Sequence, residues 1–280
     1  AVGEARIFGL LGPNGGGKST LFRILSTLMR PSSGEARIAG FDVARDPSAV
    51  RRKIGVVFQT QSLDRQLTVE ENLRAQGHLH GLSGSRLRER IGEVTARLGI
   101  GARAADVVDS LSGGLKRRVE IAKALLHRPA VVLMDEASTG LDPGARRELW
   151  QYIAELRSAE GVTVVLTSHI LDEADKCDRL LLLHQGRAVA EGTPAELKAR
   201  IGGDVVVLET ADAAGLARQI AARFGIEPAS SNGAVRVEIG NGHRFITEVV
   251  EAFPGSIDSV ALHKPTLEDV FLRETGASLW

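Results

Sequence analysis

The sequence predicts an α/β fold built on a mostly parallel sheet, followed by a small α+β domain. Three observations carry this. A strand, Ile7 to Leu11, runs through a glycine-rich loop into a helix. Four further short apolar runs without alternation, Ile54 to Phe58, Val131 to Met134, Val162 to Leu166 and Arg179 to Leu183, have the pattern of strands buried on both faces. Beyond Gly202-Gly203 the order becomes strand, helix, strand, strand, helix, strand, that of a ferredoxin-like unit.

The first strand and the helix predicted over Ser19 to Met29 frame the loop Gly12-Pro13-Asn14-Gly15-Gly16-Gly17-Lys18-Ser19-Thr20, which has the G-x4-G-K-[ST] spacing of a phosphate-binding loop. Its glycines let successive backbone N–H groups point inward at phosphate oxygens, and the helix start adds a favourable dipole. Lys18 then reaches the β- and γ-phosphates and Ser19 offers a hydroxyl to Mg²⁺. A plain glycine-rich turn is the bland alternative, yet the flanking strand and helix sit where the phosphate role needs them.

After the Ile54 to Phe58 strand comes Gln59, and the pattern turns helical. Thr68-Val69-Glu70-Glu71 has capping-box spacing, Ser85 to Leu98 is a charged amphipathic helix, and Gly113 to His127 is stopped by Pro129. Ser112-Gly113-Gly114 opens that last helix as a hydroxyl beside a helix N-terminus, a second phosphate receptor or a simple N-cap. Lys116-Arg117-Arg118 reads as a solvated helix face. The next strand ends in Asp135-Glu136. A carboxylate at the end of a buried parallel strand suits Mg²⁺ through water, and its neighbour suits a general base for an attacking water. Asp142-Pro143-Gly144 is a good helix start. His169 follows its strand closely enough to bond a γ-phosphate, whereas the other histidines, among them His80 and His127, show no metal-ligand spacing. Thr193-Pro194 opens a helix to about Arg200, and Thr266 with Asp269 caps a terminal helix over Leu267 to Arg273. In between, strands are expected at Val205 to Glu209, Ile226 to Ala229, Val235 to Ile239 and Ser256 to Leu262. Helices are expected at Ala213 to Phe224 and His243 to Phe253, and Asn232-Gly233 marks a hairpin.

At 280 residues, 43% of them hydrophobic, the chain can build one large or two modest cores. Lys plus Arg and Asp plus Glu are 35 each, so no global field argues for a nucleic-acid partner. The single Cys177 forms no intrachain disulfide and reads as a small core residue. No apolar run approaches the ~20 residues that span a bilayer, and the first residues lack the pattern of a signal peptide.

Taken in order, the motifs resemble the ATP-binding subunits of ABC transporters over Phe8 to Arg200. Gly12 to Ser19 resembles Walker A, Val57-Phe58-Gln59 the approach to the Q-loop, and Leu111 to Gly114 the signature. Val131 to Glu136 resembles Walker B, Ser138 to Asp142 the D-loop, and Thr167-Ser168-His169 the H-loop. Glu191 to Leu197 and Lys264 to Phe271 are similar to the ending of exporter ATPases of the daunorubicin-resistance type. The resemblance implies a P-loop NTPase domain over residues 1–202 with a helical subdomain at about 60–128, and an accessory domain over 203–280. It implies ATP and Mg²⁺ as cofactors. Glu136, His169, Gln59 and Lys18 would be catalytic, with Ser19, Gln59 and Asp135 at the metal. Gly12 to Thr20 would hold one nucleotide, while Ser112, Gly113 and Gly114 serve the nucleotide of a second copy in a head-to-tail dimer and Asp142 couples the two sites. A separate transmembrane permease would place the chain on the cytoplasmic face of the membrane. The accessory domain has no catalytic constellation, and a role in stabilising or regulating the dimer is expected of it. The alternatives are a soluble ATPase acting on ribosomes or nucleic acid, and a non-hydrolysing regulatory subunit, against which Glu136 and His169 speak. Leu115, Ala137 and Gly16 depart from the family's usual glutamine, proline and alanine. The family's adenine-stacking aromatic precedes its first strand, and this sequence starts eleven residues before Gly12, so weak base discrimination and an unpaired sheet edge are expected.

Overall fold

A computed structural model describes residues 1–231 and 233–277. It divides into two compact units, one ending at Glu191 and the other starting at Gly192. The first unit runs β1 (Ile7–Leu11), α1 (Lys18–Leu25), β2 (Arg37–Ile38), β3 (Phe41–Asp42), α2 (Pro47–Lys53) and β4 (Ile54–Val57). It continues through α3 (Val69–Leu79), α4 (Gly84–Arg97), α5 (Gly113–Leu125), β5 (Val131–Asp135), α6 (Pro143–Glu160), β6 (Thr163–Ser168), α7 (Leu171–Ala174), β7 (Arg179–His184) and β8 (Arg187–Gly192).

The sheet order is β4-β5-β6-β1-β7-β8. β4, β5, β6, β1 and β7 pair in parallel, as their unalternated apolar sequences predict. β8 returns through Gln185-Gly186, both at positive φ, the backbone of a tight hairpin turn. Register aligns the strand ends: Leu11 lies opposite Ser168, Asp135 opposite Thr167 and Val57 opposite Met134. The residues that follow these ends therefore share one edge of the sheet. Phe8, Phe22, Val50, Ile54 and Leu133 build the core against one face. α3, α4 and α5 form the helical insertion between β4 and β5, opened by a capping box in which Thr68 N–H donates to Glu71 Oε2 at 2.8 Å.

Several boundaries differ from expectation for local reasons. α1 stops at Leu25 rather than Met29 because Thr27 turns to φ 62° and leaves Leu28 65% exposed. α5 stops at Leu125, where Arg90 donates to the carbonyls of Leu125 and Leu126 at 2.7 and 3.0 Å and so satisfies the helix end. The β2–β3 hairpin is too short to leave a periodic signal.

The second unit runs α8 (Pro194–Ala199), β9 (Asp204–Glu209), α9 (Ala213–Phe224), β10 (Ala229–Ser231), β11 (Ala234–Ile239), α10 (Gly242–Ala252), β12 (Ser259–His263) and α11 (Leu267–Thr275). Its sheet is antiparallel in the order β10-β11-β9-β12, the order a βαββαβ chain gives. Val206, Leu208, Ile220, Val237, Phe245 and Val249 form its core. The expected boundary at residue 202 falls inside this unit because α8 packs with α11: Arg273 Nη1 donates to Arg200 O at 2.6 Å, and Leu197 is fully buried. Asn232, expected in the hairpin turn, lies outside the described residues.

Candidate nucleotide site

The glycine loop leaves β1 and enters α1 as its sequence requires. A Cβ at Gly12 would lie 2.2 Å from Leu183 O, and Gly17, the residue before α1, sits at φ 102°, so neither position accepts a side chain. Lys18 is buried, with Nζ donating to the carbonyls of Gly12 at 2.6 Å and Pro13 at 3.0 Å. Burial lowers the Lys18 pKa, opposed by the charges of Glu136 and Asp135, which links this ammonium to the acidic pair. Asn14, Gly15, Ser19 and Thr20 are exposed along the loop and the first turn of α1, while Gly16 is buried beneath them.

The acidic pair forms the second half of the site. Asp135 Oδ1 accepts Thr167 Oγ1–H at 2.6 Å, and the same hydroxyl accepts Glu136 N–H at 2.9 Å. One threonine on β6 thus bonds the Asp135 carboxylate at the end of β5 and the backbone N–H of Glu136 just past it. Glu136 adopts φ 46°, a costly conformation for a non-glycine residue that clusters at functional sites. Its Oε2 accepts Gln59 Nε2–H at 3.2 Å and lies 3.3 Å from His169 Nδ1. Gln59, Asp135, Glu136 and His169, from the ends of three strands, therefore converge, with Lys18 in electrostatic reach.

Ser112 and Asp142 are placed differently. Ser112 caps α5 by accepting Leu115 N–H at 3.3 Å, and its side chain is exposed. Asp142 caps α6, accepting Gly144 and Ala145 N–H at 2.9 and 3.0 Å, and these backbone bonds lower its pKa. Gly113 is exposed, and a Cβ at Gly114 would lie 3.2 Å from Ala145 Cβ, so the starts of α5 and α6 adjoin. Among the described residues no hydrogen bond joins Ser112 to the Gly12–Thr20 loop.

The Lys116-Arg117-Arg118 run is not a solvated face. Arg117 is 5% exposed, because it lies one helical turn before the inward-facing Ile121 and pairs with buried Glu120 at 2.8 Å. Sequence reasoning also passed over the hydroxyl of Thr167, although its place at the end of β6 just before His169 was a usable signal.

For Mg²⁺ the donor set fits. Asp135 Oδ2, the Ser19 hydroxyl and the Gln59 amide oxygen are hard oxygen donors, and Gln59 spends its amide N–H on Glu136, leaving its oxygen available. Among the described residues no group of three or more His, Cys, Asp or Glu is arranged to hold a metal ion by itself. A cavity of about 470 Å³ lined by His80, Arg90 and His127 lies apart, in the helical insertion.

Known proteins resemble this chain in sequence and in fold. The profile of the "ABC transporter" family matches residues 1–139, and that of the "ATP-binding protein DrrA1-3-like, C-terminal domain" matches 192–275. The daunorubicin resistance ATP-binding protein DrrA2 of Streptomyces coeruleorubidus is 41% identical over 99% of this chain and 88% of its own length. The Nod factor export ATP-binding protein I of Paraburkholderia xenovorans is 37% identical over 99% of this chain and 90% of its own. Among solved structures, a dimeric post-hydrolysis state of the ATP-binding cassette MJ0796 bound to ADP and Pi superposes with TM-score 0.64 at 30% identity, covering 69% of this chain and 87% of that one. An ATP-binding subunit of an ABC transporter superposes with TM-score 0.64 at 32% identity, over 71% of this chain and 83% of that one.

Proposed function

The chain belongs to the ATP-binding subunits of ABC transporters, and on that premise we propose that it powers a membrane exporter by closing around two ATP molecules as a head-to-tail dimer. It is an ATPase of this family. The observation that carries the sandwich is that two phosphate-receptive features exist on one chain without meeting: the Gly12–Thr20 loop and the capped, exposed start of α5 at Ser112. In a head-to-tail dimer the second would face the nucleotide held by the first of another copy, and the solved dimer of a similar cassette supports that arrangement.

In this reading Gly12 to Thr20 wrap the phosphates with backbone N–H groups, and Lys18 exchanges its carbonyl partners for β- and γ-phosphate oxygens. Ser19, Gln59 and Asp135 would hold Mg²⁺, which supplies charge neutralisation between the β- and γ-phosphates. Glu136 accepts a proton from the attacking water. Gln59 and His169, both against Glu136 Oε2, orient that carboxylate, and His169 then faces the γ-phosphate as charge moves to it. Asp142 caps α6, whose first turn adjoins Gly114, and in this reading it would connect the two sites.

No described helix is long and apolar enough to cross a membrane. In this reading the exporter's path belongs to a separate permease, with this chain at the cytoplasmic face. Relatives named for daunorubicin resistance, linearmycin resistance and Nod factor export align with 97% or more of this chain, which supports cargo selection by the permease. The test is size exclusion of Glu136→Gln in Mg-ATP. Retained nucleotide with a shift to twice the monomer mass is expected; a variant that binds ATP and stays monomeric at every concentration would contradict the sandwich.

A further inference from the structure

The buried pair Arg117–Glu120 has no role in the steps above, yet it bridges three segments that carry them. Arg117 Nε donates to Ala137 O at 2.7 Å, and Nη1 donates to Phe58 O at 2.7 Å and Glu120 Oε2 at 2.8 Å. Nη2 points at Glu136 O at 3.4 Å. Glu120, 2% exposed, accepts Ser62 N–H on its other oxygen at 2.7 Å. One ion pair on α5 therefore holds the residue before Gln59, the loop three residues beyond it, and the backbone of Glu136 with its successor.

Chemistry explains why an arginine stands there. β4 ends at Val57 and β5 at Asp135, so the carbonyls of Phe58 and Ala137 lie past the sheet ladder and need other donors, while Glu136 O accepts Thr139 N–H at 3.0 Å beside the Arg117 contact. A guanidinium presents several N–H groups in a fixed planar fork and reaches three carbonyls and a carboxylate at once, which a lysine point charge cannot do. For stability alone, buried ion pairs are often no better than apolar residues of similar volume, so holding geometry is the better reason for this one. The pair also sits on the helix that Ser112 caps, one continuous α-helix from Gly113 to Leu125.

We propose that Arg117 is a positioning residue for ATP hydrolysis: it ties the Gln59 and Glu136 backbones to α5, so that seating Ser112 on the partner copy's nucleotide sets the attacking-water side of this chain's own site. The link between two nucleotides rests on the sandwich reading above; the clamp within one chain does not. Each copy then reports the occupancy of one site to the other through a single helix.

The test uses the full chain with Arg117→Lys, and with Glu120→Gln, which keeps volume and an acceptor for Ser62. Nucleotide affinity, kcat and KM for Mg-ATP, and hydrogen exchange of segments 58–62 and 135–139 are measured for each. The expected result is affinity and KM within about threefold of the parent, kcat lowered at least about tenfold as for a small misplacement of reacting groups, and faster exchange in both segments together. Unchanged kcat, or a lowered kcat with exchange unaltered in both segments, would overturn the proposal. If Arg117→Lys does not fold, Glu120→Gln carries the same two outcomes. A parent chain that forms no ATP-dependent dimer would defeat the sandwich reading by itself, and the exchange data would still decide the clamp.

Discussion

In the proposed mechanism Glu136 is the base for the attacking water, and its surroundings hold that carboxylate in place. Its φ of 46° costs on the order of 1–3 kcal/mol and is held by the Thr167 hydroxyl, the Arg117 fork and the contacts with Gln59 and His169. Thr167→Val removes a buried hydroxyl bonded to Asp135 while keeping its shape. A hydrogen bond to a charged group contributes about 1.5–3 kcal/mol, so kcat/KM should fall roughly tenfold to a hundredfold with the fold intact. A steady-state assay beside a melting curve checks this, and an unchanged rate would remove Thr167 from the site. Asp135-Glu136 was legible in sequence because two acids ending an apolar run are awkward except at a ligand. Arg117 was not, because its partners are backbone carbonyls from distant segments, which no local pattern records. The usable sign was an Arg and Glu at i, i+3 on the stripe that also carries Ile121 and Ala124.

The helices show how local chemistry sets element ends and acid sensitivity. His127, two residues past α5, donates Nε2–H to Ile54 O at 2.9 Å, stacks on His80 with ring centroids 3.7 Å apart, and keeps Nδ1 buried without a partner. Burial first, then His80 and Arg90, hold its pKa down to about 4, against about 6.5 in an unfolded chain. The unfolded state therefore binds the extra proton between roughly pH 6.5 and 4, and stability is lost as pH falls through that window. Melting temperatures of the parent and His127→Gln over this range check it: the parent should decline more steeply, and equal slopes would place the acid sensitivity elsewhere. In the second unit Asp269 caps α11 through Thr266 and also pairs with Arg236. Asp269→Ala leaves that half-buried guanidinium without its carboxylate and should cost roughly 3 kcal/mol or more, whereas Thr266→Ala should cost about 1 kcal/mol. Denaturant titration distinguishes them, and equal losses would reduce Asp269 to a cap. The capping boxes at Thr68 and Thr266 were legible because their logic spans four residues, whereas at Thr193 only the N-cap and proline start were read and the reciprocal bond with Glu196 was not. The β2–β3 hairpin and α2 were not, since two-residue strands and a seven-residue helix are fixed by packing on the sheet rather than by their own periodicity.

Taken whole, the chain is two units with separate cores. A fragment starting at Gly192 should fold alone and unfold cooperatively, because its antiparallel sheet and two covering helices bury their own apolar face. Circular dichroism during a thermal ramp checks this, and a fragment without a cooperative transition would mean that it depends on the preceding residues. The parallel order of the larger sheet was legible from unalternated strands, and the antiparallel order of the smaller one from βαββαβ succession. The start of the second unit was missed because α8 belongs by packing with α11, a contact across more than seventy residues of sequence. The claim on which the rest depends is that each active site is completed by a second copy. The most direct measurement is the rate of Mg-ATP hydrolysis by the purified chain as its concentration is raised at saturating ATP. A composite site requires the rate to rise with the square of protein concentration at low levels and to become linear as dimer saturates. A rate strictly proportional to protein throughout, from a chain that stays monomeric, would contradict it.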